Sequence, residues 1–390
     1  MARLSTCIAV SAILFGTPVA EAASTVNVGV MLTLSGSSAV IGQHARDGFQ
    51  LAMKQFGGRL GGLDANVVIV DDELNPQLAV EKVRNLIDND KIDIFVGTIF
   101  SNVMMAVYEP LVDARVIVVS PNAGPSPIAG AQCSPYFFST SWQNDQNAEV
   151  MGKHADSLGY RRIVAIAPDY QAGWDMIAGF KRYFSGEVIS EVLTRLGQLD
   201  FSEELRQIAD PRPDALFAFM PGEMGVELVR QYEAAGLGES VPFLSAFTID
   251  ETTLPATGEA SVGFFSGAQW APDLDNAANR RFVSAFQEEY GYAPSMFAQQ
   301  AYDAALLVDS AIRRVGGDLV DKGRLISAFE RADFESTRGD FRFNKNHMPI
   351  QDFYLVEAVR RGDAIVTSAV KKVFDDHADA YVGECPMQRP

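Results

Sequence analysis

The stretch VGTIFSNVMM, residues 96–105, decides the fold. An apolar run, Ile92-Asp93-Ile94-Phe95-Val96, stops at Gly97. Ser101 and Asn102 follow, and after them an apolar stretch with helical spacing. A buried strand that leaves through a small polar turn into a helix is one step of an alternating α/β chain. The turn has two readings. Ser and Asn are good helix-capping residues. The first turn of a helix also carries unpaired N–H groups and about half a positive charge, which suits a carboxylate. Pro110 is expected to interrupt this helix early.

The same step recurs outward in both directions. Residues 26–32, 66–70, 92–96 and 116–119 read as strands, with helical stretches over 39–56 and 76–87. After a break at Trp142-Gln143-Asn144-Asp145 the alternation resumes, with strands at 162–167, 188–193, 215–219, 243–244 and 262–267. Apolar strands alternating with amphipathic helices predict parallel sheets covered on both faces. Phe282, Phe286 and Tyr290 mark a core-facing helix, as do Tyr302, Ala305 and Leu306. Residues 352–358 and 365–373 predict two antiparallel strands around Arg361-Gly362-Asp363. A chain of 390 residues makes two units the default. With no low-complexity linker, several crossing segments should join them.

A net charge of −18 argues against nucleic acid and anionic membrane surfaces as partners. It leaves room for a small anion held by backbone dipoles. Residues 1–22 read as an export signal: Arg3, an apolar core over 8–15, and the small-residue end Ala20-Glu21-Ala22, with cleavage before Ala23. That core is shorter than the roughly 20 residues of a spanning helix. The mature protein is therefore expected in the periplasm. There, Cys133 and Cys385 are expected to form one disulfide, tying the tail to the middle of the chain. Four histidines outside any Cys/His spacing offer no metal motif. No phosphate loop or dinucleotide fingerprint follows a strand, so no cofactor is expected. Asp71-Asp72-Glu73 and Asp375-Asp376-His377 read as solvated turns.

In open α/β sheets ligands bind beyond the carboxyl ends of the strands. The turns to inspect in the first half are TLSGSSAVIGQ (33–43, with Ser35), residues 99–102, and SPNAGPSP (120–127, with Asn122, Ala123 and Gly124). In the second half they are PDYQAGWD (168–175), FMPGEMG (219–225), SAFTIDE (245–251) and GAQWAP (267–272). The first set is polar. The second is rich in large apolar groups: Tyr170, Trp174, Met220, Phe247 and Trp270. A polar anion clamp on one lobe facing an aromatic wall on the other is the expected site.

These motifs, with VGVMLTLSGSSAVIGQHARDGFQLA, PSMFAQQAYDAALLV and RGDFRFN, resemble the Leu/Ile/Val-binding family of extracytoplasmic solute-binding proteins. The resemblance covers essentially all of the mature chain. It implies the α/β type I periplasmic binding protein fold, two doubly wound parallel-sheet lobes joined by three hinge crossovers. Lobe 1 would take residues 24–141 plus 271–343, and lobe 2 residues 142–270 plus 344–390. In that family a Ser after the third strand and groups after the fourth hold the ligand carboxylate. Ser101 matches the first; residues 122–124 match the second, where Gly124 lacks the usual Thr hydroxyl and leaves only backbone donors. Amino-acid binders place an acid for the ligand ammonium near the position of Phe247. The tyrosine expected two residues after Tyr170 is Ala172. With the tail DHADAYVGECPM, this resembles the subgroup that binds aromatic acids of benzoate or phenylpropanoid type.

The expected ligand-binding set is Ser35, Ile99, Phe100, Ser101, Asn102, Asn122, Ala123, Gly124, Trp142, Tyr170, Ala172, Met220, Pro221, Phe247 and Trp270. No catalytic residue is expected. The implied partners are ABC permease membrane subunits, and the implied state is a monomer. One alternative is a branched-chain amino acid or amide ligand, which needs a cleft acid such as Glu223, Asp169 or Asp250. Another is a secreted α/β hydrolase, although His44, His154, His347 and His377 sit in no motif. A sensor domain reporting to a membrane receptor is a third.

Overall fold

The structure, a computed structural model, describes residues 25–387; the export segment expected over residues 1–22 lies outside them. The first sheet takes β1 (Thr25–Leu32), β2 (Arg59–Leu60), β3 (Leu63–Asp71), β4 (Ile94–Val96), β5 (Ile117–Ser120) and β6 (Phe137–Ser139). Between them run α1 (Ala39–Gln55), α2 (Pro76–Asp88), α3 (Ser101–Asp113) and the single turn α4 (Ser126–Ala129). The strand order is β2-β3-β1-β4-β5-β6, parallel except for β2. The three residues of β4 are fully buried, as a run read from continuous hydrophobicity should be.

Past β6 the chain crosses to a second sheet. It lays down α5 (Gln146–Ser157), β7 (Arg162–Pro168), α6 (Gln171–Arg182), β8 (Glu187–Thr194) and α7 (Ser202–Ala209). β9 (Ala215–Ala218), α8 (Glu223–Ala234), β10 (Phe243–Ser245), α9 (Leu254–Thr257) and β11 (Phe265–Ala268) follow. It then returns to the first lobe as α10 (Ala277–Tyr290), α11 (Met296–Arg314) and α12 (Lys322–Glu330). α11 lies so close to α1 that a side chain at Gly48 would meet the Ala298 carbonyl at 1.9 Å. β12 (Arg342–Phe343), β13 (Pro349–Arg361) and β14 (Ala364–His377) complete the second sheet. β13 pairs antiparallel with β11 and β14, so this sheet is mixed at one side.

Pro110 does not cut α3 short. It sits in the last turn of a helix that runs on to Asp113, where a missing N–H removes a single intrahelical bond. The crossing segments are tied by buried polar groups. Amides link in series from Asn122 through Gln300 and Gln269 to Asn147, at 2.9 to 3.1 Å. Arg338 and Asp303 form a buried ion pair at 3.2 Å, and Arg338 also donates to the Ser141 carbonyl and to Gln351. Each charge there is hydrogen-bonded, which buried ions require. Cys133, after α4, is disulfide-bonded to Cys385, 252 residues on.

Candidate functional site

The carboxyl ends of both sheets open onto one cavity of about 340 Å³. Its floor on the first lobe is Ile41 from α1, Ile99, Phe100 and Ser101 from the β4–α3 turn, Asn122 after β5, and Phe297 from α11. The second lobe supplies Tyr170, Ala172 and Met176 around the start of α6, then Phe219, Pro221 and Phe247. Trp142 and Asn144 close it from the first crossing segment. The strands end here and the chain must turn, so these side chains converge without a dedicated motif.

One end of the cavity gathers hydrogen-bond donors of the kind that can hold an anion. α3 starts at Ser101 with Phe100 as its N-cap, and no side chain caps it. The first intrahelical bond is Met104 N–H to the Phe100 carbonyl, so the N–H groups of the first turn are left to solvent or ligand. α6 starts at Gln171 in the same way, with Tyr170 as an N-cap that makes no side-chain bond. Two helix N-termini, one per lobe, thus bring positive partial charge to a cavity without a cationic side chain. Ser101 is buried, and its Oγ accepts a hydrogen bond from Asn144 Nδ2 at 3.0 Å. With that acceptor site filled, its hydrogen is left to donate elsewhere. The orientation of Asn144 follows from its other partner, since Gly124 N–H donates to Asn144 Oδ1 at 3.0 Å. The Trp142 Nε1–H is buried without a partner, a cost that a ligand acceptor would relieve.

The rest of the lining is a chain of rings. Phe247 stacks on Trp142 with centroids 4.5 Å apart and meets Phe219 edge-on at 6.1 Å. Tyr170 stands between Phe219 and Phe100, at 6.3 and 6.2 Å. Phe297 adds a tilted contact to Phe247. Burial pushes the Tyr170 phenol far above its ordinary pKa, so it stays neutral. Phe247 holds φ at +55°, which costs a bulky residue on the order of 1–3 kcal/mol. Such strain is characteristic of binding sites, where surrounding packing pays for it.

The structure brings together Ile99, Phe100, Ser101, Asn122, Trp142, Tyr170, Ala172, Pro221 and Phe247. Six others from the expected set do not line the cavity. Ser35 is exposed in the β1–α1 turn, where its hydroxyl serves Asp71. Asn102 is not part of the lining, and its Oδ1 is buried and unpartnered. The Ala123 amide is bonded to the Thr98 carbonyl, and the Gly124 amide to Asn144, so neither is a free donor. Gly124 has no space for a side chain: a Cβ would lie 2.1 Å from the Trp142 carbonyl. Met220 packs in the core of the second sheet. Trp270 donates to Asn279 Oδ1 at 2.7 Å and packs on Phe282. Ile41, Asn144, Met176, Phe219 and Phe297 line the cavity unannounced. Ile41, Asn144 and Phe219 stood in stretches already singled out; Met176 and Phe297 lie inside helices, where an apolar residue reads as core.

No acid lines the cavity. Asp169 accepts from the Trp174 indole, and Glu223 is exposed. Asp250 accepts twice from Thr252 on Oδ1, while its Oδ2 is buried without a partner and the residue does not line the cavity. The His44–Ser295 contact at 3.0 Å resembles a base–nucleophile pair, but Ser295 caps α11 and burial lowers His44 to about 4. Among the described residues no acidic, His or Cys group is arranged to hold a metal ion, and no helix is long and apolar enough to cross a membrane.

Known proteins share this fold. A family model described as periplasmic binding protein matches residues 25–363. A solute-binding protein of an ABC transporter from R. palustris, solved in complex with benzoate, is 34% identical over 93% of this chain and 100% of its own, with a TM-score of 0.88. A second from R. palustris, in complex with 4-hydroxybenzoate, is 28% identical over 90% and 98%, with a TM-score of 0.85. Among curated proteins, Leu/Ile/Val-binding protein homolog 6 of Brucella melitensis is 27% identical over 92% of this chain and 93% of its own. The chain belongs to the periplasmic binding protein family.

Proposed function

We propose that this protein is the periplasmic substrate-binding component of an ABC importer and that its ligand is an aromatic carboxylate of benzoate type. The observation that carries the reading is a cavity walled by Phe100, Trp142, Tyr170, Phe219, Phe247 and Phe297 and holding no charged side chain. An amino-acid ammonium buried there would lack an acid, at a cost of several kcal/mol. A carboxylate meets the Ser101 hydroxyl, the first-turn amides of α3 and the spare Trp142 N–H.

Burying about 100 Å² of ring at roughly 25 cal/mol/Å² contributes about 2–3 kcal/mol. Hydrogen bonds to a charged carboxylate add about 1.5–3 kcal/mol each before entropy costs. Micromolar or tighter affinity, about 8 kcal/mol, is therefore within reach. The lobes close over the ring and the closed monomer is presented to permease subunits, a hinge transition rather than a catalytic cycle. Relatives solved with benzoate and 4-hydroxybenzoate support this ligand class, while the curated relatives' names point to branched-chain amino acids.

A thermal-shift panel on refolded, ligand-stripped mature protein tests the proposal. Benzoate, 4-hydroxybenzoate and cinnamate-type acids are expected to raise the melting temperature, since they bind only the folded state. Leucine and valine are expected to leave it unchanged. A shift with leucine or valine alone would refute the aromatic reading.

A further inference from the structure

Asp175, on α6 of the second lobe, is buried but does not line the cavity. Its Oδ1 accepts from Ser126 Oγ at 2.7 Å and from Gln171 Nε2 at 2.8 Å. Its Oδ2 accepts from the Ser126 amide at 3.1 Å and from Asn144 Nδ2 at 2.8 Å. Ser126 opens α4 in the first lobe, and Asn144 belongs to the crossing segment. One carboxylate therefore gathers donors from the first lobe, the hinge and its own helix. Burial raises its pKa while these hydrogen bonds oppose the rise. Four donors on two oxygens are the complement of an ionised acid.

Ser126 precedes the first crossing segment and Asp175 follows it, so their hydrogen bonds join the two lobes. Asn144 makes a second bond from the same nitrogen, to Ser101 Oγ. Holding Asn144 in place leaves the Ser101 hydrogen free to donate to a bound anion. We infer that Asp175 is the interlobe latch of this cleft, a positioning residue that clasps Ser126 on closure and steadies, through Asn144, the serine that holds the ligand carboxylate. The second half of this inference rests on the carboxylate reading of the cavity; the first half does not.

The test uses the full mature chain with its native disulfide intact. Spin labels at Glu81→Cys and Gln207→Cys, both exposed and one on each lobe, report the closed fraction by pulsed electron resonance. Ser126→Ala and Asp175→Asn are expected to reduce that fraction several-fold in ligand-free protein, with melting temperatures close to wild type. A merely structural acid would lower the melting temperature and leave the distances alone. Calorimetry with benzoate is expected to show affinity a few-fold weaker for Ser126→Ala and about tenfold weaker for Asp175→Asn. The double variant should be no weaker than Asp175→Asn, since both changes break one clasp. An equal ligand-free closed fraction in wild type and both variants overturns the latch whatever benzoate does. A wild type that ignores benzoate overturns the ligand reading and leaves the closed-fraction result to decide the latch.

Discussion

Ser101 and Phe247 carry the site at the scale of single residues. In the proposed complex, replacing Ser101 by Ala removes one charge-assisted hydrogen bond worth about 1.5–3 kcal/mol. Calorimetry is expected to show benzoate affinity falling about 10- to 100-fold, with the ligand-free melting temperature little changed. Phe247 faces both Trp142 and the cavity, so Phe247→Ala should weaken aromatic acids by at least tenfold. Its positive φ adds a second expectation. Phe247→Gly deletes more side chain than Phe247→Ala, yet the melting temperature should fall no further, because glycine adopts φ +55° without strain. Both residues are legible in the sequence, because each follows a buried strand in a turn that the fold aims at the cleft. Asn144 is not: its role exists only where Gly124, Ser101 and Asp175 meet, and those lie far apart along the chain. Trp270 is the converse case, an aromatic in a post-strand turn that folds into the core because Asn279 satisfies its indole.

The alternation of strands and helices is the part the chain states most plainly, since period and flanking turns report it locally. Strand pairing of β13 with β11 is less plain, because nothing near either segment names its partner. At this scale Gly222 marks the meeting of the lobes. It holds φ at +66° at the head of α8, and a side chain there would lie 3.1 Å from Ile41 Cδ1 on α1. Gly222→Ala is expected to hinder closure, weakening ligand binding severalfold more than it lowers the melting temperature. The β10–α9 loop makes a pH prediction. Burial pushes Asp250 up to about 6 and Glu251 up to about 7, from ordinary values of 3.8 and 4.5. Between those values the folded chain binds more protons than the unfolded one, so these groups make stability fall as pH rises through that window. Glu251→Gln keeps an oxygen for the Thr367 amide and hydroxyl and removes one ionisation. Its melting temperature should decline less than wild type between pH 4.5 and 7 in a pH series of thermal melts.

Over the whole molecule, a disulfide adds to the crossing segments that join the two sheets. The Cys133–Cys385 bond joins the helical turn beside Ser126 to the tail that leaves β14. A loop this long stabilises by about 2–5 kcal/mol, chiefly through the unfolded chain. Reductant, or Ser at both positions, is expected to lower the melting temperature by several degrees. Two cysteines beyond the expected export segment made that pairing readable, whereas the closure geometry was not, since it depends on how two sheets approach through the crossing segments. On the proposed function, the cleft takes a flat aromatic carboxylate and refuses an amino acid. Isothermal titration of ligand-stripped mature protein with benzoate and with leucine tests it most directly. Benzoate should bind with micromolar or tighter affinity and leucine should give no binding heat; leucine binding with benzoate silent would contradict the account.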